Sequence, residues 1–97
     1  MEKAKTDHGA TPLFIAVQEG RLPIVERRIA AGADVDKAMT NDGTTPLFIA
    51  AQNGHSGTVA MLLKSGADKS LRGWRDRSPL EIARSKGHAA VVALLSA

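Results

Sequence analysis

The hexapeptide Thr11-Pro12-Leu13-Phe14-Ile15-Ala16 returns unchanged 34 residues later as Thr45-Pro46-Leu47-Phe48-Ile49-Ala50. A looser third copy, Ser78-Pro79-Leu80-Glu81-Ile82-Ala83, follows at an offset of 33, and the same two offsets connect Gly20, Gly54 and Gly87 as well as Val25, Val59 and Val92. Gly32-Ala33-Asp34 recurs as Gly66-Ala67-Asp68. A fixed period of this length restricts the chain to a stack of like units. Each is too small to bury its own apolar face and is completed by its neighbours.

Within a unit, local chemistry predicts two short antiparallel helices. Thr11, Thr45 and Ser78 each offer an N-cap hydroxyl, and the proline that follows takes the first helical position, where a missing N–H costs nothing. Leu13/Ala16/Val17 and Leu47/Ala50/Ala51 then fall at helical spacing, with alanines small enough for close helix approach. Gly20, Gly54 and Gly87 stop this first helix. A second helix carries Val59/Leu62/Leu63 in the middle unit and Val91/Leu94/Leu95 in the last, and Gly32 and Gly66 close it in the first two units. Ser78 and Glu81 also have capping-box spacing. The polar connectors, with Asn41-Asp42-Gly43 and Arg72-Gly73-Trp74, read as projecting hairpin loops. The first is one residue longer than the second, which accounts for 34 against 33.

Taken together, Gly-x-Thr-Pro-Leu, two alanine-bearing helix turns, Gly-His, Val-x-x-Leu-Leu and Gly-Ala-Asp resemble an ankyrin-repeat protein. The fit is best over Gly43-Thr44-Thr45-Pro46-Leu47-Phe48-Ile49-Ala50-Ala51-Gln52-Asn53-Gly54-His55. The resemblance implies an all-α solenoid of three helix-turn-helix units joined by projecting β-hairpin-like loops. Residues 1–5 would be an N-terminal extension to a single domain of residues 6–97, with repeats near 6–38, 39–71 and 72–97. Two departures stand out. The histidine that the family places after Thr-Pro-Leu is Phe14, Phe48 and Glu81 here, and Asp76 replaces the loop glycine of the third unit, whose loop is therefore expected to differ in shape. Terminal units should turn polar on their outward faces, and Arg27 and Arg28 stand where the middle unit has Met61 and Leu62, Arg84 where it has Ala51, and Ser96 where it has Leu63. Such capping argues against end-to-end stacking, and a monomer is expected.

The absence of cysteine excludes a disulfide framework, a thiol nucleophile and Cys-based zinc sites. Neither a secretory leader nor a membrane-spanning apolar run is apparent, so a cytoplasmic or nuclear location is expected. The glycines form no phosphate-binding loop and there is no His-Glu-x-x-His, so no catalytic, cofactor or metal site is expected. His55 and His88 open the second helices at equivalent register, which points to a structural hydrogen-bonding role. A triad drawn from His55, Ser56 and Asp68 lacks both an oxyanion feature and a nucleophile elbow, and it is set aside.

Function must then come from surface recognition. The resemblance implies a non-catalytic module that binds a protein or peptide on the concave side formed by loop tips and first helices. The matching positions are Asp7, His8, Ala10, Gln18 and Glu19 in the first unit, Asn41, Asp42, Thr44, Gln52 and Asn53 in the second, and Trp74, Arg75, Arg77, Ser85 and Lys86 in the third. Trp74, Arg75 and Arg77 form the sharpest cluster, because tryptophan and arginine dominate interface energetics. The indole of Trp74 either meets a partner or folds back over its own loop. Residues 64–86 carry seven basic against three acidic groups, whereas residues 1–63 carry six against seven. An acidic partner would be steered to the third unit, although such a patch also serves simply as a solvated face. Nucleic-acid binding is the weaker use of this charge, since one tryptophan supplies no stacking platform. The competing reading is architectural: a minimal or engineered repeat scaffold with no evolved ligand.

Overall fold

The structure, a computed structural model, describes residues 9–96. Among these residues it contains six α-helices in three antiparallel pairs. These are α1 (Pro12–Gln18) with α2 (Leu22–Ala30), α3 (Pro46–Asn53) with α4 (Ser56–Lys64), and α5 (Pro79–Lys86) with α6 (Ala89–Ser96). A single 3-10 turn, Trp74–Asp76, precedes α5, and no strand occurs among the described residues. Asp7 and His8 of the expected surface lie outside the described residues.

Each first helix starts as its hydroxyl-proline pair dictates. Thr11 Oγ1 accepts the Phe14 N–H at 3.0 Å, Thr45 Oγ1 accepts the Phe48 N–H at 3.2 Å, and Ser78 Oγ accepts the Glu81 N–H at 3.1 Å. In the third unit the Ser78 N–H donates back to Glu81 Oε1 at 2.8 Å, completing the capping box.

The glycines that end the first helices do more than stop them. Gly20, Gly54 and Gly87 hold φ near +75°, and the histidine of the following unit sits directly over the first two. A Cβ on Gly20 would lie 3.0 Å from His55 Cε1, and one on Gly54 would lie 2.7 Å from His88 Nδ1. The His88 Nε2–H donates to the Gln52 backbone carbonyl at 3.0 Å, which gives this ring the structural hydrogen bond its register suggested. Gly87 has no such cover: nothing lies within 4 Å of its Cβ direction.

Helices α1, α3 and α5 pack side by side as one layer, with α2, α4 and α6 as the second. Leu47, Ala50, Ala51, Val59 and Leu62 of the middle unit are completely buried, continuous with Leu13 and Val17 on one side and Ile82, Ala83, Val91 and Leu95 on the other. The terminal units are graded as a stack with free ends requires. Leu62 is buried where Arg28 is exposed, Ala51 is buried where Arg84 is exposed, and Val92 is half-buried where Val25 and Val59 are inaccessible. Pro46 and Pro79 are fully buried by the preceding unit, while Pro12 is exposed.

The connectors project as loops closed by backbone bonds across their base. Met39 N–H donates to the Thr44 carbonyl at 2.9 Å, and Gly73 N–H donates to that of Arg77 at 2.9 Å. The longer loop carries its extra residue at the tip, between these closures, so the helices keep their register. The third loop is one residue shorter and forms a 3-10 turn over Trp74–Asp76, but the loss of its glycine does not change the backbone region at that position. Asp76 occupies the left-handed region at φ 58° where Gly43 has φ 75°, and Arg75 joins it at φ 57°. Two consecutive side-chain-bearing residues in this region cost roughly 1–2 kcal/mol each, somewhat less for aspartate, which tolerates the conformation. At the other end of the connectors, Asp36 Oδ1 accepts the Asp68 N–H at 2.9 Å and ties the first unit to the second. Asp68 in turn accepts the Ser70 hydroxyl and N–H, and these bonds hold its carboxyl below the ordinary aspartate value.

Candidate functional site

The concave side is assembled from three units. Helix α1 supplies Phe14 and Gln18, the second loop supplies Met39, Asp42 and Thr44, α3 supplies Phe48, Ile49 and Gln52, and the third loop closes one wall with Trp74. The groove they line encloses about 190 Å³. That is smaller than the roughly 300–1,000 Å³ of small-molecule sites and has the scale of one or two inserted side chains.

Local sequence explains this composition. Phe14 and Phe48 occupy the register at which the family pattern has a polar histidine, and both are almost wholly buried, forming an apolar floor. Backbone at Gly73 rests against this floor. A Cβ there would come within 3.1 Å of Thr44 Cα and 3.2 Å of the Phe48 ring, so the third loop reaches the groove only because residue 73 lacks a side chain. At the same register the third unit has Glu81, which turns the surface polar. Its carboxylate caps Ser78 N–H and pairs with Arg72 at 3.0 Å, and Arg72 also donates to the Asp76 carbonyl at 2.9 Å. The Ser78 N–H is the principal cause of the lowered Glu81 pKa, with the Arg72 charge assisting. Because both partners of this ion pair are about half exposed, it orders the loop more than it stabilises the fold.

Trp74 is 38% exposed, one of three large apolar side chains with substantial exposure among the described residues, beside Ile15 and Leu71. Its indole lies against its own fold without being covered by it. One part packs along the groove, and the rest carries the Arg75 guanidinium, whose Cζ lies 4.5 Å from the ring centroid.

Of the candidate residues, Gln18, Asp42, Thr44, Gln52 and Trp74 come together on this groove. Thr44 contributes mainly structure: it is 6% exposed, its N–H donates to Asp42 Oδ1 at 3.0 Å and its carbonyl closes the loop. Arg75 reaches the groove wall through its contact with Trp74, whereas Arg77, half-buried two residues on in the same loop, does not line the groove. Asn41, Asn53, Ser85 and Lys86 are exposed but do not line it. The sequence reading passed over Phe14, Met39, Phe48 and Ile49 as groove residues. The signal available was the repeated phenylalanine at a position where the family pattern is polar.

No helix among the described residues is long and apolar enough to cross a membrane. A search of curated proteins returns no match to the chain. A family model for ankyrin repeats, in three copies, matches residues 1–73, and α5 and α6 beyond it continue the same paired-helix geometry. With most of its length covered by that match and every described helix pair built to one plan, the chain belongs to the ankyrin-repeat family.

Proposed function

We propose that the protein is a non-catalytic interaction module that holds a segment of a protein partner in the concave groove between the second and third loops. Ankyrin repeats are in general protein–protein interaction modules, typically non-catalytic and commonly intracellular, and a location in the cytoplasm or nucleus is part of this reading. The observation that carries it is the half-exposed Trp74 standing over a side-chain-sized apolar groove. A large rigid aromatic at the edge of a desolvated recess is the typical anchor of an interface. In this reading Asp42 and Arg75 edge the groove, and Arg77, Asn41, Asn53, Ser85 and Lys86 would extend the contact as exposed or half-buried polar side chains.

The test starts from a protein captured on the immobilised chain at physiological salt and then purified. Titration against the parent is followed by emission from Trp74, the sole tryptophan. Trp74→Ala/Arg75→Ala/Arg77→Ala, with its helicity checked by circular dichroism, should lose that partner in pull-down. A folded triple variant that binds as tightly as the parent would show the groove to be misplaced. A complex whose affinity collapses between low and physiological salt would instead indicate nucleic-acid-like electrostatics.

A further inference from the structure

We propose that the groove selects a segment in which one apolar anchor side chain is followed, on the side facing the third unit, by carboxylates, and that it disfavours carboxylates on the opposite side. This rests on the groove reading above and adds the chemistry and orientation of what binds there.

The asymmetry comes from one register position. Residue 42 in the second loop and residue 75 in the third are equivalent, and the first is aspartate while the second is arginine. Asp42 lines the groove, and Arg75 lies over the far wall on Trp74. The two ends of the recess are therefore edged by opposite charges.

The basic residues of the third connector are not equivalent. Arg72 is taken up by Glu81 and the Asp76 carbonyl, and Lys69 Nζ donates to the Leu95 carbonyl at 3.2 Å, so both serve the fold. Arg75 and Arg77 form no ion pair with a carboxylate among the described residues. The Arg75 guanidinium meets the indole as a cation–π pair with its Cζ 4.5 Å from the ring centroid, and its edge N–H donors make no hydrogen bond among the described residues. Those edge donors are the groups that grip a carboxylate in a two-pronged hydrogen bond. Stacking also restrains the side chain in advance, which reduces the ordering cost of binding. The left-handed backbone at Arg75 and Asp76 is what lets successive residues project this way from a turn one residue shorter than its counterpart.

An apolar recess of one or two side chains, with Asp42 at one edge, the Arg75 guanidinium at the other and Arg77 two residues farther along the same loop, matches an apolar-then-acidic segment. It does not match a uniformly acidic one. Orientation follows because reversing such a segment would set its carboxylates against Asp42.

The experiment is selection of a displayed random dodecapeptide library on the whole chain at physiological salt. The enriched peptide is then synthesised and titrated by Trp74 emission and by calorimetry. Enriched sequences should carry an aliphatic or aromatic residue with two or more Asp or Glu on one side of it only. Replacing those acids by their amides, or binding the parent peptide to Arg75→Gln/Arg77→Gln, should weaken affinity about three- to tenfold, as expected for two partly exposed charge pairs. Asp42→Asn should admit peptides with acids on both sides. If the selected peptides lack acids, or if the arginine variant binds them as the parent does, the inference is overturned. The groove reading survives that outcome provided calorimetry shows that Trp74→Ala loses the peptide. A selection in which no peptide depends on Trp74 overturns both. A single-stranded oligonucleotide that displaces the peptide with steep salt dependence would assign the arginines to phosphate and equally overturn the inference.

Discussion

The histidine that covers the preceding glycine offers a measurement of how strongly neighbouring repeats are coupled. Gly54 and Gly87 have the same backbone conformation, φ 73° and φ 76°, and end equivalent helices, yet only Gly54 is covered. Alanine at either position pays for the left-handed backbone, roughly 1–2 kcal/mol, and recovers about 0.4–1 kcal/mol from the reduced freedom of the unfolded chain. Gly87→Ala should therefore destabilise by about 1 kcal/mol. Gly54→Ala incurs the same net cost and in addition places a methyl 2.7 Å from His88 Nδ1 and 2.8 Å from its Cε1, so the ring must leave. Its hydrogen bond to the Gln52 carbonyl then breaks, adding about 0.5–1.5 kcal/mol before any lost packing is counted. The total is about 1.5–2.5 kcal/mol, and for a domain of this size each kcal/mol of difference corresponds to roughly 4–8 °C in Tm. Urea and thermal unfolding followed by far-ultraviolet circular dichroism would resolve the two variants. If they were equally destabilised to within about 0.5 kcal/mol, the histidine cover would contribute nothing to stability and the coupling argument would fail. Gly20→Ala, whose methyl would meet His55 Cε1 at 3.0 Å, should fall between them.

Three further expectations follow from the groove and its supports. Phe48→Ala, at a side chain 1% exposed, should cost about 3–5 kcal/mol in chemical denaturation, and a cost under about 1 kcal/mol would show the floor to be loosely packed. Gly73→Ala lies at φ −123°, so no left-handed backbone is involved. The added methyl must push the third loop off Thr44 and Phe48, and Trp74 emission should shift red as the indole gains water, while an unchanged spectrum would detach the loop's position from this contact. Folding holds the carboxyl of Glu81 below its ordinary pKa through the Ser78 N–H, so its stabilisation is complete above the unfolded value of about 4.3 and is lost as pH falls through the folded value. The difference in unfolding midpoint between parent and Glu81→Gln should thus be constant near neutrality and shrink in acid. A difference that grows on acidification would contradict this capping role.

How far the chain can be read without its tertiary structure depends on the distance over which each feature is encoded. The repeat period, the hydroxyl-proline starts, the glycine stops and the polar substitutions of the outer units are each written within a few residues, because caps, helical periodicity and turn chemistry are local. The sequence by itself therefore determined three helix pairs, their order and their faces. It also foretold that the extra residue of the second connector would be absorbed in a loop, whereas the reshaping expected from Asp76 did not follow at that position, where Asp76 keeps the left-handed backbone of Gly43. Other features needed side chains from different units to be set against one another. The floor of Phe14 and Phe48 is apolar by residue type, but only packing turns it toward the concave side. The contact of Gly73 with Thr44 and Phe48, the seating of His88 over Gly54, and the stacking of Arg75 on Trp74 depend on how one unit rests on the next. Which arginines remain uncommitted was likewise decided in three dimensions, since Arg72, Arg75 and Arg77 are alike in charge and are separated only by what folding places beside them.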